Sequence, residues 1–288
     1  MATPIGHADD ITLRALDTLE AADLIVCEDT RVTGRLLSLF SIACPLQAYH
    51  DHNAAKVRPR ILEALAGGAV VALVSDAGTP LISDPGYKLV SEAVAAGHAV
   101  HPIPGASATL AALSVGGLPT DRFFFAGFLP VKAGARRSTL KDLAAIPSTL
   151  VFFETGARLA ASLEAMADVL GPRPAAVARE LTKTFEDVRR GSLPDLARAV
   201  VETPPKGEIV VLVGPPDADT AAGLPDDAAL DAALKSALRE MPLKGAVAAV
   251  TADLGLPRRT VYQRALTLRP GLDKDGDEDG DGDAGEGP

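Results

Sequence analysis

VVALVSDAGTPLISDPG, residues Val70 to Gly86, is the stretch whose reading decides the fold. Its opening run, Val70-Val71-Ala72-Leu73-Val74, is apolar, β-branched at three positions and too short for a helix. That combination predicts a strand buried on both faces. The run stops at Ser75. Asp76-Ala77-Gly78-Thr79-Pro80 is turn chemistry bearing a carboxylate, and Ser83-Asp84-Pro85-Gly86 is a second polar turn ahead of a helix-like segment. Ligands of open α/β sheets sit beyond the carboxyl ends of the strands, so this loop is either a small-ligand site or a plain strand-to-helix connection.

The same pattern repeats outward from it. Thr3-Pro4-Ile5-Gly6-His7 is a Pro/Gly loop, and the apolar spacing through Ile11, Leu13, Ala15, Leu16 and Leu19 predicts an amphipathic helix. Leu24-Ile25-Val26-Cys27 predicts a short buried strand running into Glu28-Asp29-Thr30-Arg31, which reads as a helix start capped by Asp29 or Thr30, or as functional charge facing the crevice. Residues 88–96 predict a helix, 99–103 a strand, and Pro104-Gly105-Ala106-Ser107-Ala108 another small-residue turn opening a helix. Strand, Gly/Pro turn and helix in alternation predict a parallel or mostly parallel sheet. His50 and His52, two residues apart, lack the further ligands and rigid element of a metal site, and no metal is expected.

Phe123-Phe124-Phe125 opens a second α/β region. Lys132, Arg136, Arg137 and Lys141 follow it, as a basic loop for a phosphate backbone or as a solvated helix start. Strand-like runs at residues 149–153, 175–178 and 209–213 carry charged motifs at their ends: Glu154-Thr155, Arg179-Glu180-Leu181-Thr182-Lys183 and Lys206-Gly207-Glu208. Residues 215–227, rich in Pro, Gly, Ala and Asp, read as a linker. Beyond it Leu243, Val247, Val250 and Leu254 keep helical spacing, then Gly255-Leu256-Pro257 turns the chain into Arg258-Arg259-Thr260-Val261. This is the outline of a helix-turn-helix or of a structural helical hairpin.

Charge is unevenly spread. Of the net −10 of the 288 residues, the last sixteen hold −7, with eight acidic residues and one lysine, whereas residues 234–270 hold seven basic and two acidic side chains. The acidic total therefore does not argue against nucleic-acid binding, because most of it lies in a tail expected to be disordered. That tail matches the calcium-loop pattern through Asp275, Asp277, Asp279, Gly280 and Glu286, but an Asp/Gly repeat meets such a pattern easily and no helix can follow it. Cys27 and Cys44 form neither a metal cluster nor a disulfide framework. With no basic-then-apolar leader and no apolar run of membrane-spanning length, the expected location is the cytoplasm and no membrane partner is expected.

Taken in order, TPIG, EDTR-x-TG, AYHDHN, VALVSDAGTPLISDPG, PGASA, LPTDRFFFAGFLP, FFET, ARELTK and KGEIV resemble the small-subunit (16S) ribosomal RNA cytidine 2′-O-methyltransferases. These belong to the tetrapyrrole-methylase-like superfamily of S-adenosylmethionine enzymes. The resemblance covers residues 2–213, and MPLKGAVAAV with VYQRAL extends it into the C-terminal helices. It implies an α/β cofactor domain at 1–108, a second α/β domain at 109–214, a linker at 215–227, a helical RNA-binding domain at 228–270 and a disordered acidic tail at 271–288. It also implies a homodimer acting on small-subunit rRNA or the 30S subunit. Two alternatives are a small-molecule (tetrapyrrole) methyltransferase, against which the basic segments weigh, and a non-catalytic RNA-binding protein of the same fold.

Carried over by residue, Pro4 and Gly6, Asp76 to Pro80, Pro104 to Ala108, Phe153 and Glu154 would line S-adenosylmethionine. The catalytic candidates are the charged strand ends Glu28, Arg31, Glu154, Arg179, Glu180 and Lys183. Glu28 and Glu154 would accept a proton, while Arg31, Arg179 and Lys183 would hold phosphates or developing alkoxide charge. The competing reading makes this cluster interdomain salt bridges. Lys132, Arg136, Arg137, Lys141, Lys244, Arg258 and Arg259 would meet RNA. Two departures stand out: His7 occupies a place where this family usually has asparagine, and the apolar strand expected ahead of TPIG is not among the 288 residues, which predicts an edge or gap in the first sheet.

Overall fold

The computed structural model describes residues 1–216, 227–254 and 258–272, in two compact units divided after Pro216. The expected linker at 215–227 and the tail at 271–288 lie almost wholly outside the described residues, as does the Gly255-Leu256-Pro257 turn.

The first unit holds two sheets. Helix α1 (Leu13–Ala21) leads into β1 (Leu24–Cys27), then α2 (Thr30–Leu39), β2 (Leu46–Ala48), α3 (Ala54–Ala66), β3 (Val71–Leu73) and α4 (Tyr87–Ala95). The strands pair in parallel in the order β2-β1-β3. Side chains alternate across β1 as the period of a strand demands. Ile25 and Cys27 pack with Leu19 and Leu37 of α1 and α2, whereas Val26 packs with Tyr49, Ile61 and Leu89 on the face of α3 and α4.

Two strand expectations need correction here. The run from Val70 to Val74 yields a strand of only three residues, with Val70 half exposed, because β3 has a strand neighbour on one side alone. Residues 99–103 form no strand. A strand exists through its ladder, and the only backbone bond that residues 1–3 offer this segment is Ala2 N–H to the Ile103 carbonyl at 3.1 Å. Residues 1–3 lie instead against the end of β3, where the Met1 ammonium donates to the Leu73 carbonyl at 2.6 Å and Thr3 bridges Gly78.

The first sheet is parallel, as the strand, turn and helix alternation predicts, and the second is mixed. After α5 (Ala108–Gly116) come β4 (Phe123–Phe128), α6 (Ala133–Leu143), β5 (Thr149–Thr155), α7 (Gly156–Leu170), β6 (Pro174–Arg179), β7 (Asp187–Ser192), α8 (Leu193–Glu202) and β8 (Glu208–Val213). Their order is β4-β5-β8-β6-β7, parallel only between β4 and β5. Strand β7, polar and partly exposed at an edge, carries no apolar signal. Residues on β5, β6 and β8 alternate: Leu150, Phe152, Val177, Ile209, Val211 and Val213 face α6, α7 and α8, while Val151, Ala176, Ala178, Val210 and Leu212 face α5.

The second unit packs α9 (Asp227–Glu240), α10 (Leu243–Leu254) and α11 (Arg258–Leu272) around Leu230, Leu234, Val247, Val250, Val261 and Ala265. Asp231 and Arg264 pair across it at 2.6 Å. The helical spacing of α10 was legible, and α9 adds the third wall that two helices alone lack. Among the described residues no helix is long and apolar enough to cross a membrane.

Candidate active site

A cavity of about 280 Å³ opens where the loops after β3 meet the α5 face of the second sheet. From the first sheet come Asp76, Ala77, Gly78, Thr79, Ile82, Ser83 and Asp84; from the second come Phe128, Phe153, Glu154, Ala178, Glu208, Ile209 and Val210. Ile5, Ser107, Ala108, Thr155 and Leu181 complete the wall. Four residues of this lining are acidic and none is lysine, arginine or histidine. A site of that sign favours a cation over a phosphate.

The loop Asp76-Ala77-Gly78-Thr79 is clamped from both sides. Thr3 and Gly78 exchange backbone bonds at 2.9 and 3.0 Å, Ser75 Oγ donates to the Gly78 carbonyl at 2.8 Å, and Thr79 Oγ1 donates to the Ala106 carbonyl at 3.2 Å. Gly78 has φ +79°, and a Cβ there would stand 3.2 Å from Ile5 Cγ2. Glycine meets both demands, a left-handed backbone and a close neighbour. Asp76 Oδ1 accepts from the Asp29 amide at 3.0 Å, which ties the ends of β1 and β3 together.

The expected ligand residues divide. Asp76, Ala77, Gly78, Thr79, Ser107, Ala108, Phe153 and Glu154 line this cavity. Pro80 is buried beside it, outside the lining. Pro4 and Gly6 line a neighbouring cavity of about 240 Å³ that meets the first at Asp76 and is walled by Val32, Leu36 and Leu39 of α2. Pro104 and Gly105 line neither, since a Cβ on Gly105 would meet Ala2 Cβ at 3.0 Å. Ala106 contributes through the carbonyl that holds Thr79.

The charged candidates also separate by what they touch. Asp29 caps α2, accepting from the Arg31 amide at 2.8 Å, and the exposed Arg31 guanidinium folds back on it, holding its carboxyl down at about 2. The helix-start reading of this cluster is thus correct for Asp29. Glu28 is pushed above the usual carboxylate range by burial and then by Asp76 and Asp51. Glu154, 3% exposed, accepts from Ser162 Oγ at 2.5 Å and the Thr155 amide at 3.0 Å and faces Arg158 Nε at 3.2 Å.

Arg179 donates to the Lys206 carbonyl, and Lys183 bridges Glu180 and Glu208 at 3.1 and 2.9 Å. Glu180 also accepts from the Glu208 amide, and this bond with Lys183 keeps its carboxyl low. These pairs lie within the second sheet and its loops rather than between the two sheets. Gly6 presses on this loop, and the His7 amide donates to Thr182 Oγ1 at 3.1 Å. His7 Nδ1 accepts from the Asp9 amide at 3.3 Å, so the histidine fills a capping position that asparagine also suits.

Lys132, Arg136, Arg137 and Lys141, proposed for RNA, are not in the cavity lining. Lys132 and Lys141 are exposed at the two ends of α6, Arg136 donates to the Val131 carbonyl at 3.1 Å, and Arg137 pairs with Asp168 at 2.6 Å. Lys244 is exposed in the first turn of α10, whereas the side chains of Arg258 and Arg259 lie outside the described residues. Among the described residues no group of three or more His, Cys, Asp or Glu is placed to hold a metal ion.

Asp84 and Phe128 line the cavity, although sequence reasoning singled out neither. Both sit in motifs with a visible signal, the second polar turn Ser83-Asp84-Pro85-Gly86 and the glycine of Gly127-Phe128. A bulge at Ala126 shifts the β4 register between Phe125 and Gly127, and Phe128 packs edge-on against Phe153 with ring centres 5.7 Å apart.

A family model described as tetrapyrrole (corrin/porphyrin) methylases matches residues 2–197, and one described as the RsmI C-terminal HTH domain matches residues 225–269. The chain is 51% identical to ribosomal RNA small subunit methyltransferase I of Mesorhizobium japonicum, covering 99% of this chain and 94% of that protein. Among solved structures it resembles a cobalamin biosynthetic enzyme, cobalt precorrin-4 methyltransferase, with TM-score 0.57, 19% identity and coverage of 74% and 92% of the two chains. It also resembles uroporphyrin-III C-methyltransferase from Thermus thermophilus complexed with S-adenyl homocysteine, with TM-score 0.50, 23% identity and coverage of 73% and 94%. At those identities the two structures speak to fold alone, and it is the fold expected from the motifs.

Proposed function

Since the chain belongs to the tetrapyrrole (corrin/porphyrin) methylase family, we propose that it is an S-adenosylmethionine-dependent methyltransferase that methylates a cytidine 2′-hydroxyl in small-subunit ribosomal RNA. The observation that carries the cofactor is the glycine loop at Gly78 with Asp76 beside it, in a lining that holds no lysine, arginine or histidine. S-adenosylmethionine supplies a methyl group on a positively charged sulfonium, the charge this wall suits. Gly78 and Thr79 would bring backbone groups close to the ligand, Phe128 and Phe153 would cover its apolar surface, and Ile5, Ala108 and Ile209 would exclude water.

The ribosomal substrate is supported by 51% identity over nearly the full length to a ribosomal RNA methyltransferase, and by the C-terminal helices matched to an HTH description. Positioning of the hydroxyl against the methyl group is the main work such a site performs. The test is to incubate the purified chain with S-adenosylmethionine and small ribosomal subunits from a strain lacking the corresponding methylation, then to analyse nucleosides by mass spectrometry. Formation of 2′-O-methylcytidine is expected. Methylation of a tetrapyrrole instead, or no product with either substrate, overturns the proposal.

A further inference from the structure

We infer that Asp84 is the proton acceptor of this reaction, taking the ribose 2′-hydroxyl proton on its carboxylate as the oxygen is methylated; the inference rests on the function proposed above. The geometry carries it by what the other carboxylates of the cavity wall already hold, Glu28 standing outside that wall. In the cavity wall, Glu154 is taken by Ser162, Thr155 and Arg158; Glu208 is taken by Lys183; and Asp76 accepts from the Asp29 amide. Glu180 is taken by Lys183 and the Glu208 amide. Among the described residues, none of these hydrogen bonds or ion pairs engages the carboxylate of Asp84, which lines the cavity half-buried.

The backbone around it is held in an unusual shape. Leu81 has φ 72° and Ser83 φ 65°, both non-glycine residues in the left-handed region, and Gly86 has φ 132° with room for no Cβ beside Leu73. Strain of this kind persists where packing over-determines it, and it is common in functional loops. Charge acts in the same direction. Glu28 from the end of β1 and Asp76 from the end of β3 face Asp84, and Glu154 and Glu208 line the same cavity from β5 and β8. Burial first, then Glu28 and Asp76, raise its ionisation to about 6. A base in that range is ionised at neutral pH and still holds a proton well.

The step balances without another reagent. The hydroxyl oxygen forms a bond to the methyl carbon and releases its proton to Asp84; the carbon–sulfur bond breaks with its electron pair remaining on sulfur. Asp84 then returns the proton to water.

The full-length protein, Asp84→Asn and Asp84→Glu are compared in single turnover on small ribosomal subunits, and calorimetry gives their affinities for S-adenosylmethionine and for S-adenosylhomocysteine. Asp84→Asn is expected to lower the methylation rate by about 10²–10⁴-fold with both affinities unchanged, and Asp84→Glu to restore part of the rate. The wild-type rate should rise with pH through about 6, and the residual rate of Asp84→Asn should not. A variant rate close to wild type overturns the inference, as does an acid limb that survives the substitution. Loss of S-adenosylmethionine affinity with retained S-adenosylhomocysteine affinity also overturns it, because the carboxylate then serves the sulfonium charge. If wild type itself forms no 2′-O-methylcytidine, the function proposed above falls instead.

Discussion

Asp84, half-buried among carboxylates, should leave a mark on stability as well as on rate. Its folded-state pKa of about 6 lies above the ordinary 3.8, so the native protein takes up this proton more readily than the unfolded chain does. Ionised Asp84 therefore destabilises the fold above pH 6, and the penalty is relieved as pH falls from 6 toward 4. A shift of that size would be worth ~3 kcal/mol in full burial, and solvent screening of a half-exposed group leaves about 1 kcal/mol. Asp84→Asn is expected to raise Tm by roughly 2–4 °C at pH 8 and to match wild type at pH 4, by differential scanning calorimetry. Equal Tm values at pH 8 would remove the penalty. The motif showed that Asp84 sits in a polar turn, but not its environment. Its repulsion comes from Asp76 on the same loop and from Glu28, which is distant in sequence and close only because β1 and β3 are neighbours.

The connections at strand ends show where local reading succeeds and where it stops. Apolar runs in β1, β5, β6 and β8 were legible because each residue is buried on one face or the other. Residues 99–103, Ala-Val-His-Pro-Ile, make no strand, since pairing depends on a neighbour that composition does not report. The glycines divide likewise. Gly78→Val must enter the left-handed region, at ~1–2 kcal/mol, and meets Ile5 at the cavity wall. Gly105→Val meets Ala2, away from the cavity. Calorimetry is therefore expected to find S-adenosylhomocysteine binding lost in Gly78→Val. For Gly105→Val, urea unfolding should show reduced stability while the affinity of the folded protein is kept. Reversed results would move the ligand toward residues 104–105.

The molecule as a whole divides its work between two units that each own a hydrophobic core. Residues 234–270 carry seven basic against two acidic side chains, and residues 273–288 carry eight acidic against one basic. Counterion release makes the first the candidate for holding RNA and the second irrelevant or opposed to it. Removing 273–288 should leave affinity for small-subunit rRNA equal or higher, whereas removing 217–288 should weaken it and flatten its salt dependence. Filter binding at several salt concentrations measures both, and equal affinity after the longer deletion would assign RNA binding to the first unit alone. The opposite charges of these two segments are readable in the sequence. The hydrogen bonds that join Glu180, Lys183 and Glu208 and hold Arg179 on the Lys206 carbonyl are not, because they depend on the pairing of β6 with β8.

Strand β8 is the last strand among the described residues and stands in the middle of the second sheet, between β5 and β6. During synthesis β5 and β6 emerge early, yet each waits with an open edge until residues 208–213 arrive to join them. The order of manufacture thus runs against the order of assembly. A nascent chain halted before Glu208 would display Phe152, Val177 and their neighbours on strands paired along one edge alone, so exposure to aggregation should concentrate in the interval between translation of residue 179 and residue 213.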